Sequence, residues 1–295
     1  LRSEKGKALH NSAVLIFCGE KLFVQNKTLL PSYDVFDEAR YFNPADETDV
    51  VEFKGVKLGI TICEDVWNIE CNLARLYEED PVSVLKDKGA EVIINMSASP
   101  FYAGKDEIRF NLIQEHAVQH GVPFLYVNQV GGNDELVFDG TSMYFGHDGR
   151  LRALIPAFEE GCLCVDTADE PDEVSMHSYD TLDNIRKALV LGVRDYVHKC
   201  GFSQAIIGLS GGIDSAVTAV IAQQALGCEN VVGVTMPSRY STSGSADDSR
   251  VLAQNLGIAF KTIAIEPMFR TFLEQLDEHF AGREPDITEE NMQAR

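Results

Sequence analysis

The chain has 295 residues, 45% of them hydrophobic and 24% charged, which is ordinary for a globular protein with room for two cores. A formal charge of −21, with 46 acidic against 25 basic side chains, argues against nucleic acid as a partner, because phosphate neutralisation needs clustered Lys and Arg. No apolar run approaches the roughly 18 residues of a membrane span, and seven cysteines without the spacing of a disulfide scaffold point to reduced thiols in the cytoplasm.

In chain order, residues 13–17 and 21–24 predict a hairpin turning at Gly19. Lys27 follows in a loop containing Pro31, where a lysine is ordinarily a solvated surface residue. Residues 50–53 and 56–62, split by Lys54-Gly55, predict a second hairpin whose last strand runs straight into Cys63-Glu64-Asp65-Val66-Trp67. A cysteine at the exit of a buried strand is either a packed thiol or a nucleophile. If it is a nucleophile, Glu64 and Asp65 would raise its pKa where they point at the sulfur, and a lysine ammonium close by would lower it.

Residues 92–95 read as a strand, followed by a loop through Ser99 and Lys105 into a helix over 106–120. Residues 123–130 and 138–144 read as two more strands, with a turn at Asp148-Gly149. Cys162 and Cys164 alternate along an expected strand and so share a face, which suits core packing better than a metal site. The polar, acidic stretch 168–180 reads as a linker. Thr181 then caps a helix whose apolar stripe is Leu182, Ile185, Leu189, Val193 and Val197. Strand 205–209, helix 214–226, strand 231–236, helix 245–256 and strand 259–265 alternate, which means a parallel sheet with a ligand at its carboxyl edge. Residues 282–287 read as irregular, and the chain opens on Leu and stops inside a helical pattern, so it is expected to be an internal piece of a longer protein.

At that edge lies G-L-S-G-G-I-D-S, residues 208–215. A glycine-rich turn from strand to helix lets backbone N–H groups converge on an anion, and the helix N-terminus adds partial positive charge. No lysine follows the glycines, so it is not the G-x-x-x-x-G-K-[ST] loop, and the glycine spacing is not that of the G-x-G-x-x-G fingerprint. Asp214 beside gathered phosphate oxygens makes sense only with a divalent cation, which the resemblance given next implies to be Mg²⁺.

S-G-G-I-D-S after an apolar strand resembles the pyrophosphate loop of the ATP pyrophosphatases. M-P-S-R-Y-S (236–241) and T-E-E-N-M-Q-A-R (288–295) resemble segments of the glutamine-dependent NAD synthetases. In the first half, K-x-x-L-P-x-Y-x-x-F-x-E-x-R-Y-F from Lys27 and G-I-x-I-C-E-D at Cys63 are similar to the nitrilase-type glutaminases. The resemblance implies an α/β chain: a nitrilase-like α-β-β-α sandwich over 1–167, a linker over 168–180 and a Rossmann-like ATP pyrophosphatase domain with a parallel sheet over 181–295, both domains incomplete. It implies Cys63 as nucleophile and Lys27 as its catalytic partner. Tyr33, Glu64, Trp67, Ser99 and Lys105 would hold glutamine; Gly208, Leu209, Ser210, Gly211, Gly212, Ile213, Asp214 and Ser215 would hold ATP, with Asp214 on the metal and Asn291 on deamido-NAD. The implied reaction is ATP-dependent amidation of deamido-NAD with ammonia released from glutamine, in a homo-oligomer. Glu4 and Glu20 do not fit the pattern of the glutaminase base, which is expected before Leu1. Another adenylating amidotransferase, or a catalytically silent binding protein of the same folds, stands as the alternative.

Overall fold

The computed structural model describes residues 9–67, 77–168, 172–176, 181–241, 243–280, 282 and 286–293. By packing, the chain divides into two units, 1–131 with 135–188 and 132–134 with 189–295. The division falls inside a helix, and much of the expected 168–180 linker (169–171 and 177–180) lies outside the described residues, as does Glu4.

In the first unit, β1 (Ser12–Phe17) and β2 (Glu20–Asn26) form the first hairpin. It turns through Cys18 and Gly19, both at positive φ. A short helix, α1 (Glu38–Tyr41), follows. Then β3 (Val50–Phe53) and β4 (Val56–Ile62) enter a six-stranded sheet with β5 (Val92–Ser97), β6 (Phe124–Asn128), β9 (Met143–Phe145) and β10 (Leu151–Leu154). The sheet order is β10-β9-β6-β5-β4-β3, with β4, β5 and β6 parallel. A separate two-stranded ladder joins β7 (Val130–Asn133) to β8 (Leu136–Asp139).

The alternation of side chains along β4 sorts its two faces. Gly59 meets α2 (Pro81–Asp87) and β5 so closely that a Cβ there would lie 2.6 Å from Ile93 Cδ1. On that face α2 and α3 (Lys105–His120) bury Val82, Leu85, Ile113 and Ala117 against Ile93 and Phe124. Ile60 and Ile62 point to the opposite face and pack with Ala13 and Phe23 of the β1–β2 hairpin. The sheet is therefore covered by helices on one side and by strands on the other. The parallel strands β4, β5 and β6 deliver Cys63, Ser99 and Asn128 at or just beyond their carboxyl ends.

From α4 (Thr181–Lys199), of which residues from 189 on belong to the second unit, the chain runs to β11 (Ala205–Gly208), α5 (Ile213–Leu226), β12 (Val231–Thr235), α6 (Ser243–Leu256) and β13 (Ala259–Thr262), followed by α7 (Glu266–Phe280) and α8 (Ile287–Gln293). The three strands are parallel in the order β11-β12-β13. The core gathers Leu209, Ala219, Ala222, Leu226, Val231, Ala253 and Ile258.

Four sequence expectations are corrected. Residues 123–130 do not form one strand: β6 ends at Asn128, and Gln129 turns its N–H to Ser97 O. Residues 138–144 break between β8 and β9, because Gly140 (φ 69°) and Thr141 (φ 56°) are consecutive left-handed residues that no strand accommodates. Cys162 and Cys164 are exposed and lie on no strand, since no neighbouring strand is there for the segment to pair with among the described residues. In α4, Val193 and Val197 pack on the core as expected, but in the first half Leu182 and Leu189 are exposed and Ile185 barely covered while Asn184, Ala188 and Leu191 are buried, so there the packed stripe is rotated from the expected one.

Candidate active site

Cys63 stands where β4 ends, with φ 45°, a left-handed conformation that turns the chain at once into the 3₁₀ turn Cys63–Val66. Asp65, 2% exposed, accepts three backbone N–H groups: Thr28 (3.0 Å) and Leu29 (2.8 Å) on Oδ1, and Ile62 (2.9 Å) on Oδ2. A single carboxylate thus ties the segment that starts at Lys27 to the turn that carries Cys63. Burial pushes its pKa up to about 6 against the pull of those N–H groups and of Lys27. At the other end of the turn, His116 donates Nε2–H to Val66 O at 2.7 Å, and burial holds its imidazole down to about 4, so at neutral pH it is an uncharged strut.

Lys27 is 1% exposed, and its Nζ lies 2.6 Å from Glu38 Oε1. Burial raises the Cys63 thiol. Lys27 and the Ala98 N–H draw it back down, and Glu64 and Glu38 push it further up. The net effect is to hold the thiol above its ordinary pKa, with Lys27 the cation that favours the thiolate.

Around the thiol the structure brings together the five residues expected to hold an amino acid amide. Glu64, 3% exposed, accepts the phenol of Tyr33 on Oε1 at 2.8 Å, and its carbonyl accepts the Trp67 N–H at 2.9 Å. Lys105 Nζ sits over the Trp67 ring (5.5 Å) and the Tyr102 ring (4.9 Å). Burial lowers its pKa, with Arg109 adding to the effect. Ser99 is fixed by its own N–H, which donates to Asn128 Oδ1 at 2.9 Å, and its buried Oγ has no partner among the described residues. Beneath lies a buried ion pair, Arg109 to Asp139, with Nη1 to Oδ1 at 2.9 Å and Thr141 Oγ1 donating to Oδ2 at 2.9 Å.

In the second unit the loop after β11 has the cradle geometry. Gly211 (φ 79°) runs against α6, where a Cβ would come within 2.6 Å of Ser245 Cα. Gly212 is the extended N-cap of α5. Ser210 Oγ lies 3.1 Å from Ser215 Oγ and accepts the Gly212 N–H at 3.3 Å, while Ser215 Oγ donates to Gly212 O at 3.0 Å. Ser210, Gly211, Gly212 and Asp214 are exposed, open to a ligand. Leu209 is the exception: its side chain is in the core and its N–H goes to Val234 O. Its contribution to a ligand is limited to its carbonyl. Ile213 is three-quarters exposed, and Gly208 faces Met236. The M-P-S-R-Y-S segment leaves the same sheet edge after β12. Arg239 Nε donates to Glu266 Oε1 at 3.0 Å and stacks over Phe269. Asn291, on α8, is exposed, and no hydrogen bond among the described residues joins it to the loop. No group of three or more His, Cys, Asp or Glu among the described residues could hold a metal by itself, so Asp214 fits a cation only if phosphate oxygens share it.

Sequence reasoning passed over Glu38, although it stands in the motif quoted from Lys27; its spacing carried no sign that it faces the lysine. It also passed over Tyr77, whose phenol donates to Glu64 Oε1 at 3.0 Å, and over Asp65 as a clamp. Nothing local marks those pairings, which span 11 to 37 residues.

Residues 1–170 match the carbon-nitrogen hydrolase model and residues 185–295 the NAD synthase model. Over 98% of its length the chain is 45% identical to a glutamine-dependent NAD(+) synthetase of Synechocystis, and over 97% it is 42% identical to one of Thermotoga maritima, covering 53% and 54% of those proteins. A solved structure of glutamine-dependent NAD+ synthetase from Acinetobacter baumannii, in complex with adenosine diphosphate, superposes on the whole chain with a TM-score of 0.90 at 36% identity, over 55% of that protein. The chain spans about half the length of the curated relatives it matches. With the Cys63 site built on the first of these two segments and the glycine cradle on the second, the chain belongs to the carbon-nitrogen hydrolase family, joined to an NAD synthase domain.

Proposed function

We propose that the protein carrying this chain makes NAD from deamido-NAD and ATP, with ammonia taken from glutamine, and that residues 1–167 and 181–295 are its glutaminase and synthetase domains, linked through 168–180. The observation that carries this reading is the Asp65 clamp, which ties the segment after the buried Lys27 to the turn of Cys63, within electrostatic reach of the thiol. The names of the relatives support the same conclusion.

In the first half-reaction the Cys63 sulfur attacks the carboxamide carbon of glutamine. Lys27 and a backbone N–H beyond the nucleophile hold the oxyanion; ammonia leaves, and water then cleaves the thioester to glutamate and the thiol. Lys105 pairs with the α-carboxylate, Glu64 with the α-ammonium, Ser99 and Tyr33 line the pocket and Trp67 closes it. In the second, the carboxylate of deamido-NAD displaces pyrophosphate from the α-phosphorus of ATP, and ammonia then displaces AMP from the acyl-adenylate. The N–H groups and hydroxyls of Ser210, Gly211, Gly212 and Ser215 receive the departing pyrophosphate. Asp214 would hold Mg²⁺ together with phosphate oxygens, and the ion would supply charge neutralisation there. Asn291 faces deamido-NAD in this reading. Six unpaired thiols among the described residues agree with a cytoplasmic setting, and the enzyme works as a homo-oligomer.

The test is NAD formation by the full-length protein with ATP, Mg²⁺ and deamido-NAD, using glutamine or ammonium, for wild type and Cys63→Ala. Loss with glutamine alone supports both sites. Absence of NAD with either nitrogen source in the wild type refutes the substrate assignment.

A further inference from the structure

Glu64 is nearly fully buried, yet its hydrogen bonds are one-sided. The Tyr33 and Tyr77 phenols both donate to Oε1, at 2.8 and 3.0 Å, and no donor among the described residues reaches Oε2. A carboxylate oxygen has two lone-pair directions, so two phenols fill Oε1 and leave Oε2 as the open acceptor. Oε2 is not among the fully buried polar atoms that lack a partner, so it borders solvent that a ligand's ammonium would displace. Neither phenol can become a competing anion, because burial and the adjacent Glu64 raise the pKa of both tyrosines well above the usual phenol range. Lys105, within electrostatic reach of Glu64, lies over Trp67 and Tyr102 as the positive pole. One carboxylate oxygen and one ammonium match the two charges of an α-amino acid.

We infer that Tyr77 is a specificity-determining residue of the Cys63 pocket: with Tyr33 it occupies Oε1 of Glu64 and so presents Oε2 to the α-ammonium of the substrate. This rests on the reading of the pocket as a glutamine site and assigns the selection for the α-amino group to a residue outside every motif of the sequence. Tyr77 touches Glu64 through its hydroxyl, so removing that oxygen leaves the ring in place while Oε1 keeps only one donor and the carboxylate is free to turn.

The experiment uses covalent capture of Cys63 by 6-diazo-5-oxo-L-norleucine, which carries both α-charges, and by its analogue without the amino group. In each, sulfur bonds to the terminal carbon, N₂ leaves and the thiol proton ends on that carbon. Intact mass gives the rates, and iodoacetamide reports the thiol by itself. Wild type is expected to prefer the amino-bearing reagent. In Tyr77→Phe that preference falls about tenfold, the scale of one hydrogen bond to a charged group, while the iodoacetamide rate is unchanged. An unchanged preference overturns the proposal. So does a fall in all three rates together, which would make Tyr77 a support for the turn only. Equal capture of both diazoketones by the wild type removes the glutamine reading itself, a result distinct from a preference lost only in the variant.

Discussion

Replacing Asp65 by Asn separates the clamp from its charge. In the folded protein the carboxyl pKa is raised from the usual 3.8 to about 6, because burial outweighs three N–H groups and the nearby Lys27. An acid whose folded pKa is raised weakens the fold when ionised: the penalty is absent below about pH 4, grows between 4 and 6, and is complete above 6. At roughly 1.4 kcal/mol for each pH unit, the full penalty is about 3 kcal/mol. Asn has no such titration, and its amide places an N–H against at least one of the three donors, at a pH-independent cost of about 1–3 kcal/mol. The stability of wild type relative to Asp65→Asn should therefore fall by about 3 kcal/mol between pH 3.5 and pH 7, other titrations being common to both proteins and cancelling. Urea unfolding followed by fluorescence of Trp67, the only tryptophan and two residues from Asp65, reads this unit directly. A constant difference, or one that moves in favour of the wild type as pH rises, refutes the assignment of Asp65 as a buried clamp held at an energetic cost.

Lys27→Met removes the cation that lowers the Cys63 thiol; the pH midpoint of iodoacetamide alkylation should rise, slowing the reaction at pH 7. Glu38→Gln should move that midpoint the other way, since Glu38 raises the thiol, while glutamine turnover falls because Lys27 loses its 2.6 Å partner; a shift in the same direction as Lys27→Met would sink the account. Gly211→Ala forces a left-handed residue against Ser245 Cα, costing about 1–3 kcal/mol and abolishing protection of residues 189–295 from proteolysis by ATP. Arg109→Met leaves Asp139 buried and unpaired, with an expected loss of about 3–5 kcal/mol in urea unfolding; the double variant with Asp139→Asn should recover part of it.

Local chemistry made much of this legible. The hairpin ending at Cys63 follows from alternating apolar residues split by Lys54-Gly55, and β3 and β4 have the bounds that pattern gives. The cradle was readable because strand, paired glycines and helix are consecutive, and only glycine takes the φ of Gly211 where α6 crowds it. The element order β11-α5-β12-α6-β13 likewise follows from period and punctuation alone, and a parallel sheet follows from that order. Thr141 was not readable: a β-branched residue at positive φ is held there with its Oγ1 on Asp139, whose charge is in turn fixed by Arg109, 30 residues earlier. Cys162 and Cys164 show the converse, an alternation with no neighbouring strand to pair with. The sequence by itself therefore determined the hairpin that ends at Cys63, the glycine-rich turn and the parallel sheet of the second unit, because each is written in adjacent residues. Only the tertiary structure decided that Asp65 grips Thr28 and Leu29, that Glu38 answers Lys27 and that Tyr77 reaches Glu64. Those contacts depend on sheet register and helix packing, which bring distant side chains within 3 Å without leaving a local pattern.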